Sequence, residues 1–205
     1  MKLIISYIKR VYYYFYPLRS PFRDRDVIID GVQVKVGAYS YGFESMQIFS
    51  WGENINIEIG RYCSIAYGIK LFCGGNHRSD FLAQYPFGII FPNHFKKTNL
   101  ELVKTNGNIT IGNDVWIGRD VTILSGITIG DGAVIAANSH VVKDIPAYSI
   151  YGGNPANIIK YRFPQKTIDK LLIVKWWDFN LNPELIEELL STNIENLDIR
   201  LKNCE

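Results

Sequence analysis

A six-residue rhythm dominates the middle of the chain. From Ile109 the sequence runs ITIGNDVWIGRDVTILSGITIGDGAVIAANSHVVKDIPAYSIYGGNPA. Taken in steps of six, Ile111, Ile117, Ile123, Ile129, Ile135 and Val141 are all aliphatic, and four residues after each stand Val115, Val121, Ile127, Ala133, Ser139 and Ile145, which are small or aliphatic. Gly112, Gly118 and Gly130 follow three of the lead positions, where a turn needs a residue without Cβ. Ile, Val and Leu make up 56 of the 205 residues, so six hits in a row by accident is an event on the order of less than one in a thousand. The period stays fixed at six residues over the whole run. It is the signature of a parallel β-helix: each hexad gives one short strand and one turn, three hexads close a triangular coil, and the lead aliphatics stack inside the prism.

The same period appears upstream. Ile59, Ile65 and Leu71 are six apart, Cys63 and Ile69 occupy the slot four later, and Val36-Gly37 opens an earlier coil. Cys63 therefore reads as a small apolar filler and not as a nucleophile. Between the two runs, residues 78–108 break the period and carry Pro86, Pro92, His94 and several aromatics. A loop of that length thrown out of a regular solenoid is usually functional. The prism is expected over residues 31–160, with residues 1–30 as an N-terminal extension and 161–205 as a C-terminal helical cap. In the cap, Ile168, Leu171, Leu172 and Lys175 suit one amphipathic helix, and Asn182-Pro183 starts a second.

Near the N-terminus, Ile4, Ile8, Val11 and Phe15 form one apolar stripe on a helix that Pro17 ends. Two readings stand: a helix packed on the rest of the protein, or an interfacial helix whose aromatic and basic residues meet a membrane surface. No run of 18 uncharged apolar residues exists for a spanning helix, and no cleavage site follows the short run Leu3–Ile8. A composition of 47% hydrophobic and 20% charged residues excludes a disordered chain. A net charge of +2 lacks the basic excess of a nucleic-acid binder. Three cysteines without a C-x-x-C pair argue against a disulfide scaffold or a structural zinc site. The expected location is the cytoplasm, at the inner face of the membrane if the N-terminal helix is interfacial.

Two stretches carry a more specific signal. Gly74-Gly75-Asn76-His77-Arg78-Ser79-Asp80, followed by Tyr85-Pro86-Phe87, resembles the loop of the hexapeptide-repeat xenobiotic acetyltransferases. That group includes the streptogramin and type-B chloramphenicol acetyltransferases and related glycan O-acetyltransferases. Asn113-Asp114-Val115-Trp116-Ile117-Gly118, Lys143-Asp144-Ile145-Pro146, Gly152-Gly153-Asn154-Pro155-Ala156 and Trp176-Trp177-Asp178 match the same pattern. The resemblance covers about residues 33–180. It implies a left-handed β-helix assembled as a homotrimer, with acetyl-CoA as acyl donor, no metal, and active sites between subunits.

By the same resemblance, His77 stands at the catalytic histidine position. The residue type suits the chemistry, because a hydroxyl is a weak nucleophile at neutral pH and a neutral imidazole can take its proton as it attacks a thioester. Asn76, Arg78, Asp80 and Tyr85 are the expected acceptor contacts. Asp80 has two readings, an orienting partner for His77 or a surface residue of the loop. The resemblance lays the donor against Ala136, Ala137, Ser139 and Lys143, with Trp116 as a trimer contact and a wall beside His77. Lys160 and Arg162 supply further cations for the donor's phosphates. Asn157 departs from the pattern, which commonly has a basic residue after Asn-Pro-Ala.

The expected reaction is O-acetylation of a glycan or glycan precursor, as in capsule or lipopolysaccharide modification. The alternative is an antibiotic acetyltransferase of the streptogramin or chloramphenicol type. The short segment between Tyr41 and Ile59 favours the glycan. A γ-type carbonic anhydrase would need three metal-ligating histidines converging between subunits, and His140 is badly placed to join His77. A catalytically dead scaffold subunit is the remaining alternative, and the Asn-His-Arg loop argues against it.

Overall fold

The structure, a computed structural model, describes residues 22–95 and 103–179. The chain divides into two compact units, Met1–Arg162 and Phe163–Glu205. In the first, the chain opens with β1 (Arg25–Ile29), which turns back into β2 (Val32–Val36). The first coil continues from β2 through Tyr41 to β3 (Gln47–Phe49). The second is β4 (Ile57–Ile59), β5 (Ser64–Ile65) and β6 (Lys70–Phe72). An excursion follows, with β7 (Asn76–His77), a short helix α1 (Phe87–Ile90) and β8 (Val103–Lys104). The third coil is β9 (Ile109–Ile111), β10 (Trp116–Ile117) and β11 (Thr122–Leu124). The fourth is β12 (Thr128–Ile129), β13 (Val134–Ile135) and β14 (His140–Val141), and β15 (Ser149–Gly152) and β16 (Asn157–Tyr161) close the unit.

These strands stack into three parallel walls. The first holds β2, β4, β9 and β12; the second β5, β10, β13 and β15; the third β3, β6, β11 and β14. The architecture is the parallel β-helix that the six-residue period predicts. Register explains why the period works. Ile117 lies level with Ile65 on one side and Ile135 on the other. Ile123 lies level with Leu71 and Val141, and Ile59 with Ile111 and Val36. Each lead residue packs on its own copy a coil away, and these positions are buried to 5% exposure or less. Burying such a side chain contributes about 1.5–3 kcal/mol, which is why polar residues are confined to the turns and the outer faces.

At the turns, backbone meets backbone. A Cβ on Gly60 would lie 2.5 Å from the Gly112 carbonyl oxygen of the next coil, so that corner admits only glycine without a shift of main chain. Cys63 fills an interior slot as expected: it is fully buried, its Sγ donates to Gly112 O at 3.1 Å, and burial pushes its thiol up to about 11. One departure from the period follows Val141. Ile145 bridges Ile129 and Tyr151 lies level with Ile135, so the fourth coil is two residues shorter than a strict repeat. The two end strands also differ from the rest, because β1 runs antiparallel to β2 and β16 antiparallel to β15.

In the second unit, α2 (Gln165–Val174) is the amphipathic helix that the spacing of Ile168 and Leu171 predicts, and both residues are buried. It ends at Lys175, whose φ of 46° is the left-handed conformation that commonly stops a helix. The predicted N-terminal helix and the helix starting near Pro183 lie outside the described residues. Among the described residues no helix is long and apolar enough to cross a membrane.

Candidate active site

The third wall of the second coil ends at Phe72, and there the chain leaves the prism. The Glu53 carboxylate fixes the exit, accepting from Gly75 N–H at 2.9 Å and Trp51 N–H at 2.7 Å. Burial works to raise the Glu53 carboxyl, but these N–H groups outweigh it and hold the acid below the usual carboxylate range. Gly75 has a φ of +70°, and a Cβ there would come within 2.8 Å of the Trp51 ring. Return is fixed on the same edge. Thr105 Oγ1 donates to Cys73 O at 2.5 Å, and Asn106 N–H donates to the buried Ser125 Oγ at 3.1 Å. Asn76 Nδ2 reaches the same hydroxyl at 3.4 Å. Between exit and return, β7 pairs antiparallel with β8, Asn76 level with Lys104 and His77 with Val103. The long excursion is therefore a hairpin stem with His77 at its top.

His77 is exposed, and its Nδ1 lies 2.9 Å from the main-chain carbonyl oxygen of Gln84. A carbonyl can only accept, so Nδ1 carries the ring proton and Nε2 presents a lone pair. Neither reading of Asp80 included this partner. Asp80 turns instead to Arg78, whose Nε donates to Oδ1 at 3.0 Å and whose Nη2 pairs with Oδ2. That pairing holds the Asp80 carboxyl below its usual range. The Arg78 guanidinium also covers the Phe81 ring at 4.3 Å. Tyr85 is exposed and packs edge-on against Phe87 at 4.8 Å, part of an apolar shelf with Ile89, Ile90 and Phe91. His94 sits edge-on to Phe91 in the same loop.

The other candidate residues lie on the walls. Trp116 is 56% exposed on the second wall, between Ser64 and Val134. His77 leaves from the edge between the third and first walls, so one chain does not bring the two together. Ala136 and Ala137 form the turn from the second wall to the third, with Ala137 exposed. Ser139 is buried, donates to Ala136 O at 2.6 Å and accepts from Gly153 N–H at 3.3 Å, so its hydroxyl serves the wall itself. Lys143 is exposed and donates to Asn157 Oδ1 at 3.0 Å; a neutral amide leaves its charge available. Lys160 is exposed on β16. Arg162 is committed: Nη1 donates to Gly132 O at 2.6 Å and pairs with Asp114 at 3.2 Å, and the guanidinium lies over the Tyr148 ring. Burial raises the Asp114 carboxyl, and the Arg162 charge opposes that rise. Among the described residues no three His, Cys, Asp or Glu side chains are gathered to hold a metal ion.

Sequence reasoning did not find Gln84, Glu53 or Ser125. Gln84 acts on His77 through its main chain, which leaves no mark in residue type. Glu53 carried one usable signal, as the acid in the stretch between Ile48 and Ile55 where the six-residue period is interrupted.

The fold is a parallel β-helix with His77 raised on a side hairpin. Residues 108–143 match the family of bacterial transferase hexapeptide repeats. The chain is 50% identical over 124 residues to a probable macrolide acetyltransferase of Lysinibacillus sphaericus, covering 60% of this chain and 69% of that one. It is 35% identical over 195 residues to a chloramphenicol acetyltransferase of Klebsiella aerogenes, covering 87% and 93%. Among solved structures it resembles a galactoside acetyltransferase in complex with coenzyme A, at 28% identity and a TM-score of 0.41 over 67% of this chain and 55% of that one. The chain belongs to the hexapeptide-repeat acetyltransferases that include the chloramphenicol acetyltransferases.

Proposed function

We propose that this acetyltransferase moves an acetyl group directly from acetyl-CoA to a hydroxyl, with His77 as general base. The observation that carries the reading is the Gln84 carbonyl on His77 Nδ1, which leaves Nε2 as an exposed proton acceptor. Nε2 takes the hydroxyl proton as the oxygen attacks the thioester carbonyl. The tetrahedral intermediate collapses with cleavage of the C–S bond, and the imidazolium returns the proton to the leaving thiolate. No residue is acylated, and both cysteines of the described chain are buried with thiols pushed up to about 11. The donor's phosphates fall to Lys143 and Lys160, since Arg162 is held by Asp114 and Gly132.

The working unit is a trimer of left-handed prisms. Its support is the separation of His77 and Trp116 on one chain, together with the exposed Trp116 and the apolar shelf of the loop. A neighbour's second wall would complete the site and cover that surface. The cytoplasm, where acetyl-CoA is made, is its place of work, with the N-terminal segment able to bring it to the membrane face.

For the acceptor, the short segment between Tyr41 and Ile59, which holds a 3₁₀ turn (Phe43–Ser45), β3 and the start of β4, supports a glycan or glycan precursor over a bulky antibiotic. A second reading, an antibiotic hydroxyl, is favoured by the names of the curated relatives. Purified protein with acetyl-CoA, offered simple glycosides and oligosaccharides beside chloramphenicol, a streptogramin and a macrolide, is expected to acetylate the sugars. Transfer confined to the antibiotics replaces the glycan reading. His77→Ala is expected to lower transfer by about 10²- to 10⁴-fold while leaving assembly unchanged, and transfer within a few-fold of wild type would remove the mechanism.

A further inference from the structure

The Gln84 carbonyl can fix the His77 tautomer only if something fixes the carbonyl. Residues 78–84 are loop, exposed except at the half-buried Arg78 and Phe81, and the hairpin stem ends at His77. Yet the segment is closed on itself. Gln84 Nε2 donates to the Arg78 main-chain oxygen at 2.8 Å. Phe81 N–H donates to the same oxygen at 3.2 Å. The Arg78 side chain grips Asp80 with two nitrogens and lies over the Phe81 ring. Gln84 thus binds the segment at both ends: its side chain ties back to the residue after His77, and its carbonyl meets the His77 ring.

We infer that Gln84 is a positioning residue, and that Arg78, Asp80 and Gln84 form a clamp whose purpose is to hold a carbonyl on His77 Nδ1. This rests on the reading of His77 as the base. The physical need is specific. A free histidine side chain in water favours the proton on Nε2, the nitrogen that has to accept the hydroxyl proton. The clamp reverses that preference before substrate arrives, which is preorganisation. It also gives Arg78 and Asp80 a different task from the acceptor contacts expected of them, because each is already engaged within the loop.

The side-chain amide of Gln84 does the closing, so Gln84→Met keeps length and approximate bulk while removing the amide and its donor. The readout is the tautomer of His77 in ligand-free protein, from nitrogen-15 NMR of histidine-labelled enzyme. The chain has three histidines, and His77→Ala identifies the signal. Wild type is expected to show the Nδ1–H form almost alone. In Gln84→Met that form is expected to fall to about half, with a proportionate loss of turnover of about twofold. Asp80→Asn should shift it in the same direction by less. If Gln84→Met keeps the wild-type tautomer, the clamp is overturned. If Asp80→Asn leaves the tautomer alone and Arg78→Ala weakens only acceptor binding, these two residues are acceptor contacts and the inference fails for them. An active His77→Ala would instead sink the general-base reading, so the two failures are told apart.

Discussion

The prism walls and the hairpin loop are built by opposite rules. On the walls every interior residue repeats a contact made by its neighbours a coil away, as Ile117 does between Ile65 and Ile135. Nothing in that interior is singular, and what the walls offer to chemistry, Trp116, Lys143 and Lys160, stands on their outer faces. In the loop each contact occurs once: Glu53 on Gly75, Thr105 on Cys73, Gln84 on His77. Its large apolar side chains face outwards. The walls spend their sequence on stability and the loop spends little on it, which frees the loop to hold a strained or reactive arrangement. The difference teaches that stability and catalysis are separable in this chain by region, and that a substitution should damage one or the other.

The largest expected effects test that separation directly. His77→Ala should remove most turnover while its thermal midpoint stays within about 2 °C of wild type, because a surface residue away from caps and cores is within about 0.5 kcal/mol of neutral. A large drop in the midpoint would show that the loop also holds the prism. Ile117→Ala is the mirror case. It empties a fully buried site, so urea unfolding should report a loss of about 2–5 kcal/mol, with turnover per folded molecule unchanged. Loss of activity beyond the unfolded fraction would tie the wall to the chemistry.

Smaller effects sharpen the comparison. Burial pushes the Cys63 and Cys73 thiols up to about 11, so at about pH 8 only roughly a thousandth of either is thiolate. Native protein should resist iodoacetamide at both positions, with labelling rising as pH approaches 11 and becoming fast in urea. Peptide mapping that finds rapid native modification of Cys73 would mean that the loop base opens readily. Lys160→Ala should raise the Michaelis constant for acetyl-CoA by about 3- to 10-fold with turnover nearly unchanged, since a phosphate contact far from the thioester is mostly uniform binding. An unchanged constant would move the donor away from β16.

The same contrast explains what could be read in advance. The period exposed the walls, their interior residues and the buried Cys63, because a repeated contact leaves a repeated residue. His77 was legible through its neighbours Asn76, Arg78 and Tyr85-Pro86-Phe87. The hairpin stem was not, since β7 and β8 are two-residue strands, too short to show alternation. Arg162 looked like a free cation because its partners Asp114 and Gly132 lie far back in sequence. The shortened coil after Val141 was hidden because Ile145 also fits the strict repeat, in the slot four after Val141. Gln84 was hidden because a main-chain oxygen is the same atom in every residue.

The reversed end strands have a further consequence. A stack of parallel coils finishes in rows of N–H and C=O groups that could accept another coil, and a bare end could add a second molecule, then a third, as amyloid does. Here the first wall finishes in β1 and the second in β16, each laid antiparallel to its neighbour. Their strands no longer run in the direction an incoming parallel rung would need. Each also carries charge, Arg25 and Asp26 on β1 and Lys160 on β16. On those two walls the reversed, charged strands discourage the addition of a further parallel coil.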